Sequence, residues 1–428
     1  MIIPIVPFLL LAGWTAAYAE THTMGLRQVV DTAVKQNPDL IIARLEEQKA
    51  SEAVRLARDP FSTKLFVGSG LAYTNGFPLS IEGSAPSIVQ GRAVRSIYNR
   101  PQSFEIAKAR ENHRGAGFVT AARREDIALE AALLYTDLER LARAVESARQ
   151  QVSALEKLAG TVKIRVQEGR ELPLENKRAE LSVAQARQQA GALETDLEYL
   201  SASLAVVLGF AAEDRVLPAP KEPLSRDFTL SEEASVAEAL ASSNEIRRLE
   251  SALQAKGYEV RSAEAARYPR VDLVAQYGLF GRFNNFEDFF QRFQRHNGQI
   301  GVSIQLPILP GSGVKAQADM AALDITRLRR EIIATRDRIA LETRKSYRDV
   351  KQAESAREVA RLDLDFTREQ LTVLLARMEE GRASLQAVEQ QRSVEAGKWI
   401  AFYNAQHALE QAKLRLLRQT GSILSALL

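Results

Sequence analysis

The stretch VVDTAVKQNPDLIIARLE, residues 29–46, is repeated in the second half of the chain as SVAEALASSNEIRRLE, residues 235–250. A second stretch, ARDPFSTKLFVGSG from Ala57, likewise recurs as AARYPRVDLVAQYG from Ala265. Each half therefore predicts a helix, a break at an X-Pro step, and then a strand. Self-similarity over so long a period indicates one duplicated unit rather than an array of short repeats.

Two pairs of glycines keep the same spacing in both halves. Gly169 in VQEGR matches Gly381 in MEEGR, and Gly209 in VLG matches Gly421 in QTG, with the same separation along the chain in each pair. Glycine commonly supplies the left-handed residue that ends a helix. We therefore expect two long helices in each half, joined by a turn at Gly169 in the first half and at Gly381 in the second.

Apolar residues recur every three or four positions from Leu134 to Val166. This 3.5-residue period is that of a helix with a coiled-coil seam. A second seam runs from Val183 to Val207, and less regular ones run from Ala360 to Met378 and from Phe402 to Leu416. Helices of this length bury their seams on one another, either in a solid coiled coil or in a ring around a hollow.

Between the helices of each half the period of the sequence changes to two. Apolar Ile300, Val302 and Ile304 alternate with small or polar residues, and the segments 65–73 and 271–279 alternate in the same way. A weaker partner runs from Ile88 to Tyr98. This alternation predicts strands with one apolar and one polar face. We expect one β-hairpin in each half, at about residues 61–99 and 270–307.

Strands of about ten residues can cross a bilayer when they are tilted. Four such strands are too few to close a membrane barrel, because bacterial barrels begin at about eight strands. Either the strands form a soluble sheet, or several chains share one barrel. An expected export signal, the absence of disulfides and the aromatic loop FGRFNNFEDFFQRFQRHNG, residues 280–298, favour the shared barrel.

The N-terminal sequence predicts export. MIIPIVPFLLLAGWTAAYA ends in the small-x-small triplet Ala17-Tyr18-Ala19, which is similar to a signal peptidase site. Its apolar run is shorter than the ~20 residues that a membrane-spanning helix needs. We interpret residues 1–19 as a signal peptide, with a short buried N-terminal helix as the alternative.

The composition excludes several kinds of site and partner. The chain has no cysteine, which rules out disulfides and thiolate metal sites. Its 57 basic and 54 acidic residues nearly cancel, and this balance argues against nucleic acid as a partner. The four histidines have no metal-ligand spacing, so we expect exposed positions and neither a metal nor a cofactor: His22, His113, His296 and His407.

The order of helix, hairpin, long helix, glycine turn and helix, present twice, resembles the TolC-type outer-membrane efflux factors. The resemblance covers essentially the whole chain after residue 19. Its closest local match is VQEGRELPLENKRAELSVAQAR, residues 166–187, with Gly169 and Glu175 at the family's glycine and acidic positions. The matching stretch MEEGRASLQAVEQQRSVEAG, residues 378–397, keeps Gly381 but has Ala387 at the acidic position.

The resemblance implies a mainly α fold with a small β part. Duplicated long-helix hairpins would form a trimeric α-barrel in the periplasm, and each chain of the homotrimer would contribute four strands to a shared transmembrane β-barrel. The duct would lie in the outer membrane and passively conduct cargo from an inner-membrane pump and a periplasmic adaptor protein. Drugs, metal ions, and peptides or proteins all remain open as cargo.

The expected signal peptide and the internal duplication divide the chain into four expected segments. Residues 1–19 are the signal peptide, 20–210 the first structural repeat, 211–232 a linker and 233–428 the second structural repeat.

Candidate site residues lie near the two glycine turns, where the family's closed end opens as the helix pairs untwist. One variant of the family has a ring of aspartates just past the second turn, but these positions are Ala387 and Gln390 here. The remaining acidic gate candidates are Glu171, Glu175, Glu379, Glu380 and Glu389. The adaptor-docking candidates are Gly169, Arg170, Gly381, Arg382 and Ser384.

Both sets of candidates also have a purely structural explanation. Glutamate in the first turn of a helix is favoured by the helix dipole, and glycine is favoured where a helix ends. In a trimer, however, three copies of a glutamate would form a ring of like charge able to select cations.

Two other functions fit the sequence less well. A soluble periplasmic coiled-coil scaffold or adaptor would share the heptads but would not need strands with an apolar face. An enzyme is disfavoured because no Ser-His pair, paired carboxylates or metal cluster recurs at a usable spacing.

Overall fold

The structure, a computed structural model, describes residues 20–70, 87–170, 172–219, 231–280, 296–308, 311–380, 382–383 and 385–428. The expected signal peptide, part of the linker and most of the aromatic loop lie outside these ranges. So do three of the candidate site residues: Glu171, Gly381 and Ser384.

Four helix lengths occur twice in the same order. In the first half, helices of 11, 21, 68 and 35 residues are α1 (Leu26–Gln36), α2 (Pro38–Arg58), α3 (Arg100–Gln167) and α4 (Pro173–Val207). In the second half, helices of the same four lengths are α5 (Glu232–Ser242), α6 (Asn244–Glu264), α7 (Ser312–Glu379) and α8 (Leu385–Gln419). A short α9 (Ile423–Leu427) follows. The equal lengths confirm the duplication predicted from the sequence.

The strands within the described ranges form two sheets. A parallel pair joins β1 (Thr21–Met24) to β4 (Arg215–Pro218). The second sheet is antiparallel, with the order β2-β3-β5-β6, and contains β2 (Lys64–Gly70), β3 (Ser87–Asn99), β5 (Arg270–Phe280) and β6 (His296–Gln305). Each half supplies the hairpin that the sequence predicts. Pairing of β3 with β5 then joins the two hairpins into one four-stranded sheet.

The register of this sheet places most of its exposed apolar side chains on one face. Leu65, Ala93, Ala275 and Ile300 lie opposite one another, and rows two residues away share their face. We call this the apolar face; its exposed large apolar side chains are Leu65, Val67, Val89, Leu273, Tyr277, Ile300, Val302 and Ile304, and it also carries Arg95. The intervening rows form what we call the polar face, which carries Gln90, Arg92, Asp272, Gln276, Gln299 and Ser303 together with the apolar Phe66, Val94 and Val274. Gln299 Nε2 donates to Gln276 Oε1 at 2.6 Å across that face.

The chain forms two compact units, and each takes segments from both halves. The first unit contains the residues up to Ile41, Arg124–Ala239 and Glu342–Leu428. Its core lies where α1, α3, α4, α8 and α9 meet β4, with fully buried Leu138, Leu204, Leu208, Val216 and Ile423. The hydroxyl of Ser201 fixes β4 to α4, because it accepts from the Val216 N–H at 2.9 Å and donates to the Val216 carbonyl at 2.8 Å.

The predicted seams of the long helices are buried over part of their length in this unit, and the seam of α3 is only half-buried from Val152 to Val166. Leu138, Leu141, Val145 and Ala148 on α3 are buried, as are Leu364 and Thr367 on α7. Ion pairs flank the seams. Arg149 binds Glu194 at 2.7 Å between α3 and α4, and Lys398 binds Asp363 at 2.6 Å between α7 and α8.

The second unit contains Ile42–Arg123 and Leu240–Leu341, and therefore holds the four-stranded sheet. The helices flanking the strands are tied to one another by side-chain bonds. Gln102 donates to the carbonyl of Ala57 at 2.6 Å, and Ser262 donates to the carbonyl of Pro101 at 3.2 Å. Within the described ranges, none of the helices is apolar over a stretch long enough to cross a lipid bilayer.

Candidate functional site

The turn between α3 and α4 is closed by Gly169. Its φ is +71°, and its N–H donates to the carbonyl of Val166 at 3.0 Å. The next N–H, that of Arg170, reaches back to the carbonyl of Arg165 at 2.9 Å. These two bonds form a Schellman motif, which satisfies the last carbonyls of a helix and needs a left-handed residue. Pro173 then begins α4 with a fixed φ and no N–H to satisfy.

The turn between α7 and α8 repeats this geometry. The N–H of Arg382 donates to the carbonyl of Arg377 at 2.8 Å, which is the counterpart in the second repeat of the bond from Arg170 to Arg165. Gly381 itself lies outside the described residues. The two described bonds nevertheless place Arg170 and Arg382 at equivalent positions in the two turns.

Each turn also carries the same ion pair. Arg170 binds Glu168 at 3.3 Å, and Arg382 binds Glu380 at 3.2 Å. The arginine side chains are 76% and 78% exposed. Exposed pairs of this kind stabilise a protein by only about 0–1 kcal/mol, so both guanidinium groups are free to exchange these contacts for a partner's.

Of the acidic gate candidates, Glu175 and Glu380 have described side chains. Glu175 lies in the first turn of α4 and binds Arg178 at 2.6 Å. Glu380 belongs to the second turn and binds Arg382, while Glu379 is the last residue of α7 and Glu389 lies in α8. No group of three or more His, Asp or Glu side chains suited to a metal occurs among the described residues.

A cavity in the first unit is a feature that the sequence did not predict. It has a volume of about 520 Å³ and lies among α3, α4 and α8, with Leu193, Trp399 and Tyr403 in its wall. The Trp399 and Tyr403 rings stack with centroids 5.6 Å apart. Because Trp399 and Tyr403 are four residues apart, both rings lie on one side of α8. This spacing is visible in the sequence and could have predicted the aromatic wall of the cavity.

His407 lies beside the same cavity and is largely buried, although the sequence predicted exposed histidines. Its Nε2 lies 3.1 Å from Asp137 Oδ1, and Gln411 Nε2 lies 3.2 Å from Asp137 Oδ2. Burial lowers the pKa of His407 and outweighs the opposing attraction of the Asp137 carboxylate. The heptad pattern gives no sign of this polar contact, because Asp137 and His407 lie in different halves of the chain.

Known proteins resemble this chain in sequence. Residues 236–422 match the outer membrane efflux protein family. The outer membrane efflux protein BepC of Brucella suis biovar 1 (strain 1330) is 22% identical over 414 residues, covering 95% of this chain and 86% of BepC.

Solved structures share the fold over nearly the whole chain. The Campylobacter jejuni CmeC outer membrane channel superposes with a TM-score of 0.74 at 15% identity, over 93% of this chain and 85% of CmeC. A membrane protein from Pseudomonas aeruginosa gives 0.72 at 18% identity, over 92% and 90%. The fold class predicted from the sequence is thereby confirmed. Residues 236–422 thus match the family that the sequence resemblance predicted, the TolC-type outer-membrane efflux proteins.

Proposed function

We propose that this chain is one protomer of a homotrimeric exit duct, which passively conducts cargo from an inner-membrane pump and a periplasmic adaptor to the outside. The match of residues 236–422 to the outer membrane efflux protein family supports a location in the outer membrane, with an extension into the periplasm. The proposal is carried by one observation, the four-stranded sheet with an apolar exposed face, whose edge strands β2 and β6 have no further neighbour among the described strands.

The open edges support assembly with other copies of the chain. An edge strand in lipid leaves its N–H and C=O groups without partners, and each such group costs several kcal/mol. Pairing of β6 with β2 of the next copy removes this cost. Three copies of four strands supply twelve, which is within the range of closed bacterial barrels.

The two equivalent turns support adaptor docking. The backbone and the exposed arginine have the same arrangement at Arg170 and at Arg382. We propose that an adaptor contacts both turns through these residues, together with Gly169, Gly381 and Ser384. Three chains would present six such turns.

Glutamates near the turns are our proposed gate. Glu175 and Glu380 are each bound to an arginine on the same chain, which offsets part of the negative charge in a ring of three copies. Glu171, Glu379 and Glu389 complete the proposed set. We also propose that the chain consists of two structural repeats, residues 20–210 and 233–428, joined by the linker 211–232.

Fractionation and native mass spectrometry test the duct. The protein is expected to sediment with the outer membrane, to require detergent for extraction and to have the mass of a trimer. Cells lacking it are expected to lose efflux and to regain it with the wild-type chain. Release with soluble periplasmic proteins as a folded monomer containing strands would contradict the proposal and favour a scaffold.

A further inference from the structure

Arg92 lies in the middle of β3 on the polar face of the sheet. It is paired with Phe66 of β2 on one side and with Gln276 of β5 on the other. Its side chain is exposed, and Gln299 lies in the same row beyond Gln276. Nearer the helices, Ser96 of β3 pairs with Asp272 of β5. This row differs from the row of Arg92, because Ser96 and Asp272 are both buried.

The other charged groups on the polar face are neutralised within the chain. Lys64 Nζ lies 2.5 Å from Asp59, and Arg270 lies 2.9 Å from Asp272. Arg92, in contrast, has no ion pair or hydrogen bond in the part of the chain that the structure describes. The polar face of the described strands therefore carries one uncompensated positive charge per chain.

We infer that Arg92 gives the sheet region of the duct a preference for anions. The inference rests on the proposed function: if the apolar face contacts lipid, the polar face lines the channel. Three symmetry copies of Arg92 would then lie at one height as a ring of positive charge. A ring of one sign in a narrow pore with low-dielectric walls raises the local concentration of ions of opposite sign and so selects among permeating solutes.

The Arg92 ring thereby assigns a chemical class of cargo, which the fold alone does not specify. Anionic or partly anionic organic solutes would pass the ring favourably, whereas cations would meet a barrier there. The Arg92 ring would favour anions, whereas a glutamate ring near the helix turns would favour cations. The two rings would therefore contribute separately to the selectivity of the duct.

Arg95 provides a matched control in the same strand. It lies three residues beyond Arg92, pairs with Leu273 and therefore belongs to the apolar face. Its Nε donates to the carbonyl of Phe61 at 3.2 Å. The two arginines have the same charge and lie close together along β3, but only Arg92 is expected to face the channel.

The test is a reversal-potential measurement on the purified protein in planar bilayers, under a KCl gradient. Replacing Arg92 with Gln is expected to lower the permeability ratio of chloride to potassium about twofold or more. Arg92→Glu is expected to lower the ratio further, and Arg92→Lys to keep it near the wild-type value. Arg95→Gln is expected to leave it unchanged.

The outcomes separate this inference from the proposed function. Equal ratios for wild type and Arg92→Gln in a conducting pore would overturn the role of Arg92 while leaving the duct intact. Equal shifts for Arg92→Gln and Arg95→Gln would also overturn it. Extraction of the wild-type protein as a folded monomer rather than a trimer would instead contradict the duct itself.

Discussion

Gly209 packs against the carbonyl oxygen of Gln36 so closely that a Cβ added to Gly209 would lie 2.6 Å from that oxygen. The φ of Gly209 is +84°, in the left-handed region that favours glycine. The end of α4 therefore fits the end of α1 only without a side chain. At Gly169 the backbone is also left-handed, but a Cβ there would have no heavy atom within 4 Å.

Alanine at these two glycines is expected to have unequal effects. Gly169→Ala introduces only backbone strain, which costs about 1–2 kcal/mol. Gly209→Ala adds a clash with a backbone atom that cannot rotate away, so it should lower the melting temperature substantially more. Circular dichroism of the two variants in detergent measures this difference. Equal losses would show that the Gln36 contact does not constrain the fold.

The apolar face of the sheet is expected to reject charge. Ile300→Arg places a cation on the face that we assign to lipid and should cost about 2–4 kcal/mol at mid-bilayer depth. Lower yields of assembled trimer in the outer membrane, measured on non-denaturing gels, are the expected result.

Gln299→Arg is the matched control, because Gln299 is adjacent in β6 and belongs to the polar face. It should assemble at near wild-type yield. Similar defects in both variants would remove the assignment of the apolar face to lipid.

The equivalent arginines of the two turns are expected to act in adaptor docking. Replacing both Arg170 and Arg382 with alanine should leave the trimer assembled, because exposed pairs contribute only about 0–1 kcal/mol each. Cross-linking to the adaptor and efflux in whole cells should both decrease markedly.

Arg149→Ala serves as the control for docking, since Arg149 is also exposed and ion-paired but lies on α3 away from the turn. If the double variant loses the trimer but its remaining protein cross-links normally to the adaptor, the two arginines have only a structural role.

The sequence predicts the elements of this fold better than it predicts the contacts between distant elements. The duplicated helices, the seams and the glycine turn at Gly169 follow from local patterns, because period and turn chemistry are read within a few residues. Pairing of β3 with β5 joins strands from different halves of the chain, and no local pattern specifies it. The position of Arg92 on the polar face is even less predictable from the sequence, because the alternation of β3 is weak. The face to which Arg92 belongs is identified only by its pairing with Gln276, which in turn pairs with Gln299.

Acid is expected to weaken the first unit through His407. The group is packed against Asp137 and Arg140 of α3 and against Glu410 and Arg415 of its own helix, and burial lowers its pKa below the ordinary value. In the unfolded chain the imidazole therefore binds a proton at a higher pH than in the folded protein. The stability that neutral His407 contributes is fully present above about pH 6.5 and is lost as the pH falls through the lowered pKa.

His407→Gln removes this titration while keeping an amide that can bond to Asp137. Melting temperatures measured from about pH 7.5 down to about pH 5 should therefore fall less steeply for His407→Gln than for wild type. If wild type and His407→Gln lose the same stability over this range, buried neutral His407 is not a source of the acid sensitivity.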